Sequence, residues 1–342
     1  MTESTTRPEE RHARLGLWLG PVAFIVVSLV PVGGLAGGPK RLLAVVCWMA
    51  VWWVTEAAPL AATSMLPLVL FPLLDVRGVR DVAPNYANHM VFLFLGGFVL
   101  ALAVERSGLH RRVALAILGA IGSSPKRLVW GFLIATAVLS MWLSNTATTL
   151  MMLPIAGAVT RRVQMPDAAR RVFLAVAYGA SIGGIATLVG TPPNLVLAGM
   201  APNLVPDIEP ITFGGWMLFG VPFVLLFLPL VGLYLGRGLS STAAAGADFE
   251  AERRELGHLT VRERRVAILF SLTAIAWVTR SGFDLGSVSI PGWSQLLTAW
   301  GWLDGPKVVT DAVPAIAAAI LTTLVPAGGG ERRPLLRWSE IE

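Results

Sequence analysis

The chain has 342 residues, of which 55% are hydrophobic and 14% charged, with a net charge of +6, and its mean hydropathy is +0.68. A soluble domain cannot hide that much apolar surface, so composition excludes a soluble globular protein and points to a polytopic membrane protein. The positive charge is not a nucleic-acid footprint, because the basic residues sit at the ends of apolar segments, where they act as topology signals. The single cysteine, Cys47, lies in an apolar segment and leaves neither an internal disulfide nor a cysteine metal cluster.

In chain order, residues 1–14 form a polar tail that mixes Glu3, Glu9 and Glu10 with Arg7, Arg11 and Arg14. The apolar segment from Leu15 to Val32 reads as a retained first span rather than a signal peptide, given its acidic leader and the lack of a clear small-residue cleavage site. Further spans are expected near 41–57 and 60–75, joined by a turn at Pro59, and at 90–105. The basic, amphipathic piece that follows, to about 121, is too short to span and is expected to lie in the interface.

From Arg127 to Val159 runs one apolar stretch too long for a single span. Its centre, SMWLSNTATTLMMLP, places Ser140, Ser144, Asn145, Thr146, Thr148 and Thr149 in a run, 128–160, that contains no Asp, Glu, Lys, Arg or His. Unpaired hydroxyls and amides in hydrocarbon cost several kcal/mol, so the cluster must be buried against other helices or line a wet cavity. A re-entrant hairpin of two half-helices with the cluster at its tip fits best. The next uncharged run, from Val172, is interrupted by GASIGGIATLVGTPPN, Gly179 to Asn194, which predicts two half-helices around an unwound centre near Gly190 to Pro193.

A span is expected at 213–236, a polar cytoplasmic loop at 237–265, spans near 266–281 and 306–326, and a tail at 329–342. With a cytoplasmic amino terminus and a hairpin opening to the cytoplasm, most Lys and Arg residues fall on inside loops, as the positive-inside rule requires. Glu56-Ala57-Ala58-Pro59 and Asp311-Ala312-Val313-Pro314 each open an apolar segment, which suggests a repeat whose second copy is incomplete in this sequence.

Four motifs in this order, TEAAPLAATSMLPL, FLFLGGFVLALAVERSGLHRRVAL, SNTATTLMMLP and GASIGGIATLVGTPPN, resemble the divalent anion:sodium symporter family, over roughly residues 15–330. The resemblance implies an all-α, inverted-repeat elevator transporter, homodimeric when complete. Its cargo is a dicarboxylate, citrate or, in some branches, sulfate, carried with sodium across the inner or plasma membrane. It also implies a scaffold at 15–121 and 266–328 and a mobile part at 126–236. By the same resemblance, Ser140, Ser144 and Asn145, with the Gly190 carbonyl, match the sodium site. Asn145 and Thr146 match the substrate contacts at the hairpin tip, with Thr191 beside the same break.

Elementary electrostatics agrees with that assignment. A di-anion needs compensating charge, and neither 128–160 nor 172–206 holds a Lys or Arg. Half-helix amino termini and bound cations remain as sources. A sodium ion ~5 Å from a carboxylate at an effective dielectric of ~20 contributes ~3 kcal/mol, enough to couple the two. The competing structural reading is that these polar groups only tie two helices together. The functional rivals are a half-transporter or truncated polypeptide without transport of its own, for which the single Ser-Asn-Thr argues, and an intramembrane enzyme, for which no nucleophile, acid pair or metal set argues. Glu56 and Glu105, near span ends, are weak candidates as proton carriers. The tryptophans read as interfacial anchors, and Gly96 and Gly97 as points of close helix packing.

Overall fold

The computed structural model describes residues 8–162, 166–240, 249–284, 289–328 and 331–341. It divides into two compact units, Met1–Asn88 and His89–Glu342. In the first, α1 (Pro8–Leu29) packs along α2 (Gly37–Thr55), and short helices α3 (Leu60–Ser64), α4 (Leu66–Leu73) and α5 (Val79–Val82) follow. The span expected at 60–75 is interrupted at Met65. Pro67 carries no N–H, so the helix cannot close its bond to the Thr63 carbonyl and restarts one residue on.

The second unit opens with α6 (His89–Ser107) and α7 (Leu109–Ile121), then α8 (Pro125–Ser140), α9 (Asn145–Arg162), α10 (Pro166–Gly183) and α11 (Pro192–Leu204). It continues with α12 (Phe213–Gly236), α13 (Phe249–Glu255), α14 (Val261–Thr279), the two-stranded β1 (Phe283–Asp284) and β2 (Ser289–Ile290), and α15 (Trp293–Ala299). After α16 (Ala312–Leu324), β3 (Pro326–Gly328) pairs antiparallel with β4 (Glu331–Pro334). Among the described residues, His12–Leu29, Val79–Ser107 and Phe213–Gly236 are long and apolar enough to cross a membrane.

Three expectations change in detail. The polar segment 237–265 is not loop throughout: α13 lies within it, and a Thr260–Glu263 capping box starts α14 before the apolar run begins. Burial alone would raise the Glu263 carboxyl, but the Arg112 guanidinium and the Thr260 N–H hold it below the ordinary value. The span expected at 306–326 contracts to the 13 residues of α16, about 20 Å at 1.5 Å per residue. Asp311 stands just before it, with its carboxylate engaged by Arg280 and the Phe213 N–H and not by the helix, and Pro326 leads into β3. Residues 331–341, expected as a tail, fold back instead, because Leu335 and Leu336 are fully buried and their N–H groups bond to Val325 O and Thr322 O.

The α6–α16 contact shows why Gly96 stands where it does. A Cβ there would lie 2.4 Å from the Ala315 carbonyl carbon, so only glycine permits the approach. Where α12, α14 and α16 meet, Asp311 is paired with Arg280 at 2.5 Å and accepts the Phe213 N–H at 2.9 Å. Phe213 stacks on Trp277 at 4.7 Å and on Trp142 at 6.2 Å, which ties the turn between α8 and α9, where Trp142 lies, into the same aromatic column.

Candidate functional site

Two chain interruptions meet in the core of the second unit. The first is the turn from Met141 to Ser144 that joins α8 to α9, as the hairpin reading requires. The second is the break between Gly183 and Pro192 that separates α10 from α11. It begins earlier than expected, at Gly184, and Pro192 and Pro193 open α11 instead of lying in its unwound centre. Proline is accommodated in a first helical turn because the N–H it lacks has no helical acceptor there.

The α8 and α10 backbones are in close apposition, and this brings the motifs together. Ser140, fully buried, has its Oγ 2.7 Å from Ala180 O and 2.9 Å from Asn145 Oδ1. A hydroxyl has one proton. When that proton goes to Ala180 O, the lone pairs of Ser140 Oγ and Asn145 Oδ1 face one another, an arrangement that a cation set against both would relieve. Asn145 is itself fitted against Gly184, where a Cβ would fall 2.3 Å from its Oδ1.

The remaining assigned residues are placed less uniformly. Ser144 precedes α9, and its Oγ accepts the Ala147 N–H at 3.3 Å. Gly190 is buried at the break, where a Cβ would meet Gly184 O at 2.5 Å and Met141 O at 3.0 Å, so the break touches the hairpin turn directly. Thr146 is exposed and Thr191 half-buried, and among the described residues neither side chain hydrogen-bonds to Ser140, Ser144 or Asn145. Thr148, one turn beyond Ser144, is fully buried, and its Oγ1 has no partner among the described residues.

Two residues that the sequence reading passed over stitch the break. Thr187, fully buried, donates from Oγ1 to Met141 O at 2.5 Å and accepts the Gly190 N–H at 3.2 Å. Asn194 donates from Nδ2 to Gly184 O and Thr187 O, both at 2.8 Å. The available signal was the conflict itself: a buried backbone break leaves carbonyls that need donors, and Thr187 and Asn194 are polar side chains within an otherwise apolar stretch.

The donor set is chemically specific. Every polar group gathered here is a neutral oxygen or amide, and 128–160 and 172–206 contain no carboxylate. Hydroxyl, amide and carbonyl oxygens are hard donors suited to an alkali cation, whereas calcium sites draw on carboxylates. At the start of α9, the N–H groups of Asn145 and Thr146 make no hydrogen bond among the described residues, so this helix end presents open donors to an anion. The start of α11 is poorer. Pro192 and Pro193 have no N–H, and that of Asn194 is engaged by Thr191 O at 3.1 Å.

Comparison with known proteins agrees with this chemistry. A family model described as a citrate transporter matches residues 50–327. A sodium-dependent dicarboxylate transporter of Staphylococcus saprophyticus is 36% identical over 342 residues, covering 95% of this chain and 62% of its own. The transporter of the same name from Staphylococcus aureus is 35% identical over 355 residues, covering 97% of this chain and 64% of its own. The chain thus spans less than two thirds of the length of these relatives. Because the matched region takes in both chain interruptions and most of the sequence, the chain belongs to the citrate transporter family.

Proposed function

We propose that this chain carries out sodium-coupled import of a di- or tricarboxylate anion, such as succinate, malate, fumarate or citrate, as a multi-pass protein of the plasma membrane with a cytoplasmic amino terminus. The observation that carries the reading is the part-buried pairing of Ser140 Oγ with Asn145 Oδ1 at 2.9 Å, docked on a helix break and surrounded by neutral oxygens. Ser140, Ser144, Asn145 and the Gly190 carbonyl hold sodium. Asn145 and Thr146, with Thr191 nearby, meet the carboxylate where the α9 amino terminus offers N–H groups that have no partner among the described residues. The named activity of the staphylococcal relatives supports both sodium and carboxylate.

Residues 126–236 move as the transport part against a scaffold of 15–121 and 266–328, and the assembly is a homodimer. The seating of α6 on α16 at Gly96 supports placing those two helices in one body. With no carboxylate or histidine in either central segment, sodium and not a proton is the coupling ion. Sulfate or another anion is the alternative cargo. Reconstituted protein should accumulate labelled succinate or citrate when a sodium gradient is imposed. Uptake that ignores sodium and follows only a pH gradient would contradict the reading, and competition by sulfate alone would redirect the cargo assignment.

A further inference from the structure

We propose that Thr187 is the positioning residue that makes the hairpin turn and the helix break one sodium site, although it is not itself a ligand. The inference rests on the sodium reading above. Its basis is the connectivity of a single buried hydroxyl. Thr187 Oγ1 donates to Met141 O, the carbonyl next after Ser140, and accepts the N–H of Gly190, the residue whose own carbonyl is assigned to the ion. One donor and one acceptor thus fix the carbonyl plane at the turn and the peptide orientation at the break. Thr187 O is in turn held by Asn194 Nδ2, so the residue is anchored at both its side chain and its backbone.

Among the described residues, the only other hydrogen bond from the turn side to the 180–191 stretch is from Ser140 to Ala180 O. That bond comes from a ligand that an arriving cation would engage. The Thr187 bond comes from a residue outside the assigned ligand set, so an arriving ion does not compete for it. Removing the Thr187 hydroxyl leaves Met141 O and the Gly190 N–H without partners and frees both peptides to rotate. The ligand oxygens would remain present but no longer be held in place before the ion arrives, and preorganisation of this kind shows as ion affinity.

The test is the sodium-dependent rise in the thermal unfolding midpoint of the purified full chain, with sodium titrated against choline at constant ionic strength. Thr187→Val keeps the volume and removes both hydrogen bonds. It should raise the half-saturating sodium concentration by roughly tenfold, the order expected for one well-made buried hydrogen bond. Thr187→Ser keeps the hydroxyl and loses a buried methyl, so it should lower the midpoint without sodium yet leave the half-saturating concentration near that of the unsubstituted chain. If the valine variant does not fold, Thr187→Cys, a weak donor, takes its place and should shift the sodium dependence while Thr187→Ser does not. A sodium response in the unsubstituted chain that these variants leave intact would overturn this proposal alone. No sodium response in the unsubstituted chain would overturn the sodium reading and this proposal with it.

Discussion

At the hairpin turn the backbone is left partly open, with the Asn145 and Thr146 N–H groups unpartnered among the described residues and Thr146 exposed, whereas at the helix break it is sewn shut by Thr187 and Asn194. Both are interruptions of helices in an apolar core, and both must satisfy stranded peptide groups. The turn leaves two N–H groups without a hydrogen-bond partner among the described residues. The break solves it internally, with two side chains that serve three carbonyls and one N–H. In the proposed function this difference divides the roles: the turn is to present groups to cargo, and the break to hold the turn in register.

The largest expected effect comes from closing the contact between the two. Gly190→Ala places a Cβ against the Gly184 backbone and Met141 O, none of which is a flexible side-chain end. Overpacking against backbone should cost about 3 kcal/mol and lower the unfolding midpoint with or without sodium. Retained stability together with an intact sodium response would show that the two interruptions are not in contact in solution.

Asn194→Ala comes next. It strips the donor from Gly184 O and Thr187 O in a buried position and should cost about 2 kcal/mol by denaturant titration, most of it the penalty for unpaired carbonyls. Asn145→Ala sharpens the contrast, since it removes a proposed sodium ligand from the turn side. Its loss of stability without sodium should be about 1 kcal/mol, while the stabilisation conferred by sodium should disappear. Equal losses with and without sodium would instead favour a purely structural polar cluster. Thr146→Ala, at an exposed position with no hydrogen bond to the cluster, should change stability by less than about 0.5 kcal/mol. It should weaken carboxylate binding measured at saturating sodium and leave sodium affinity unaltered.

Much of this was legible in the residues. The length of the uncharged run around the polar cluster favoured a hairpin over one span, and the glycines and prolines of GASIGGIATLVGTPPN called for a broken helix. The structure has a turn between α8 and α9 and a break between α10 and α11, with Ser140 and Asn145 2.9 Å apart and Gly190 close to Met141 O. What sequence could not supply was the partner of each polar group, because hydrogen bonds across helices depend on tertiary register and not on spacing. Thr187 therefore passed as one more helix-break residue, and Asn194 as the end of a motif. Boundaries shifted for similarly local reasons. Proline can end a helix, as Pro67 does to the segment before it, or begin one, as at Pro192, and the pattern alone leaves both open. Asp311 and Glu56, matched by pattern, differ in setting: Asp311 is buried against Arg280, while Glu56 is exposed with φ at 50°. Their likeness is one of sequence, and the surrounding helices treat them differently.

The account depends most on the claim that Ser140 and Asn145 hold sodium against the helix break. The most direct measurement is the unfolding midpoint of the purified chain in sodium chloride and in equimolar potassium chloride, with Asn145→Ala in parallel. A ligand bound only by the folded state stabilises by RT ln(1 + [L]/Kd), so the midpoint should climb with sodium and saturate. It should stay flat in potassium, and Asn145→Ala should abolish the difference between the two salts. Identical midpoints in sodium and potassium for the unsubstituted chain, or a sodium shift that survives in Asn145→Ala, would contradict the account.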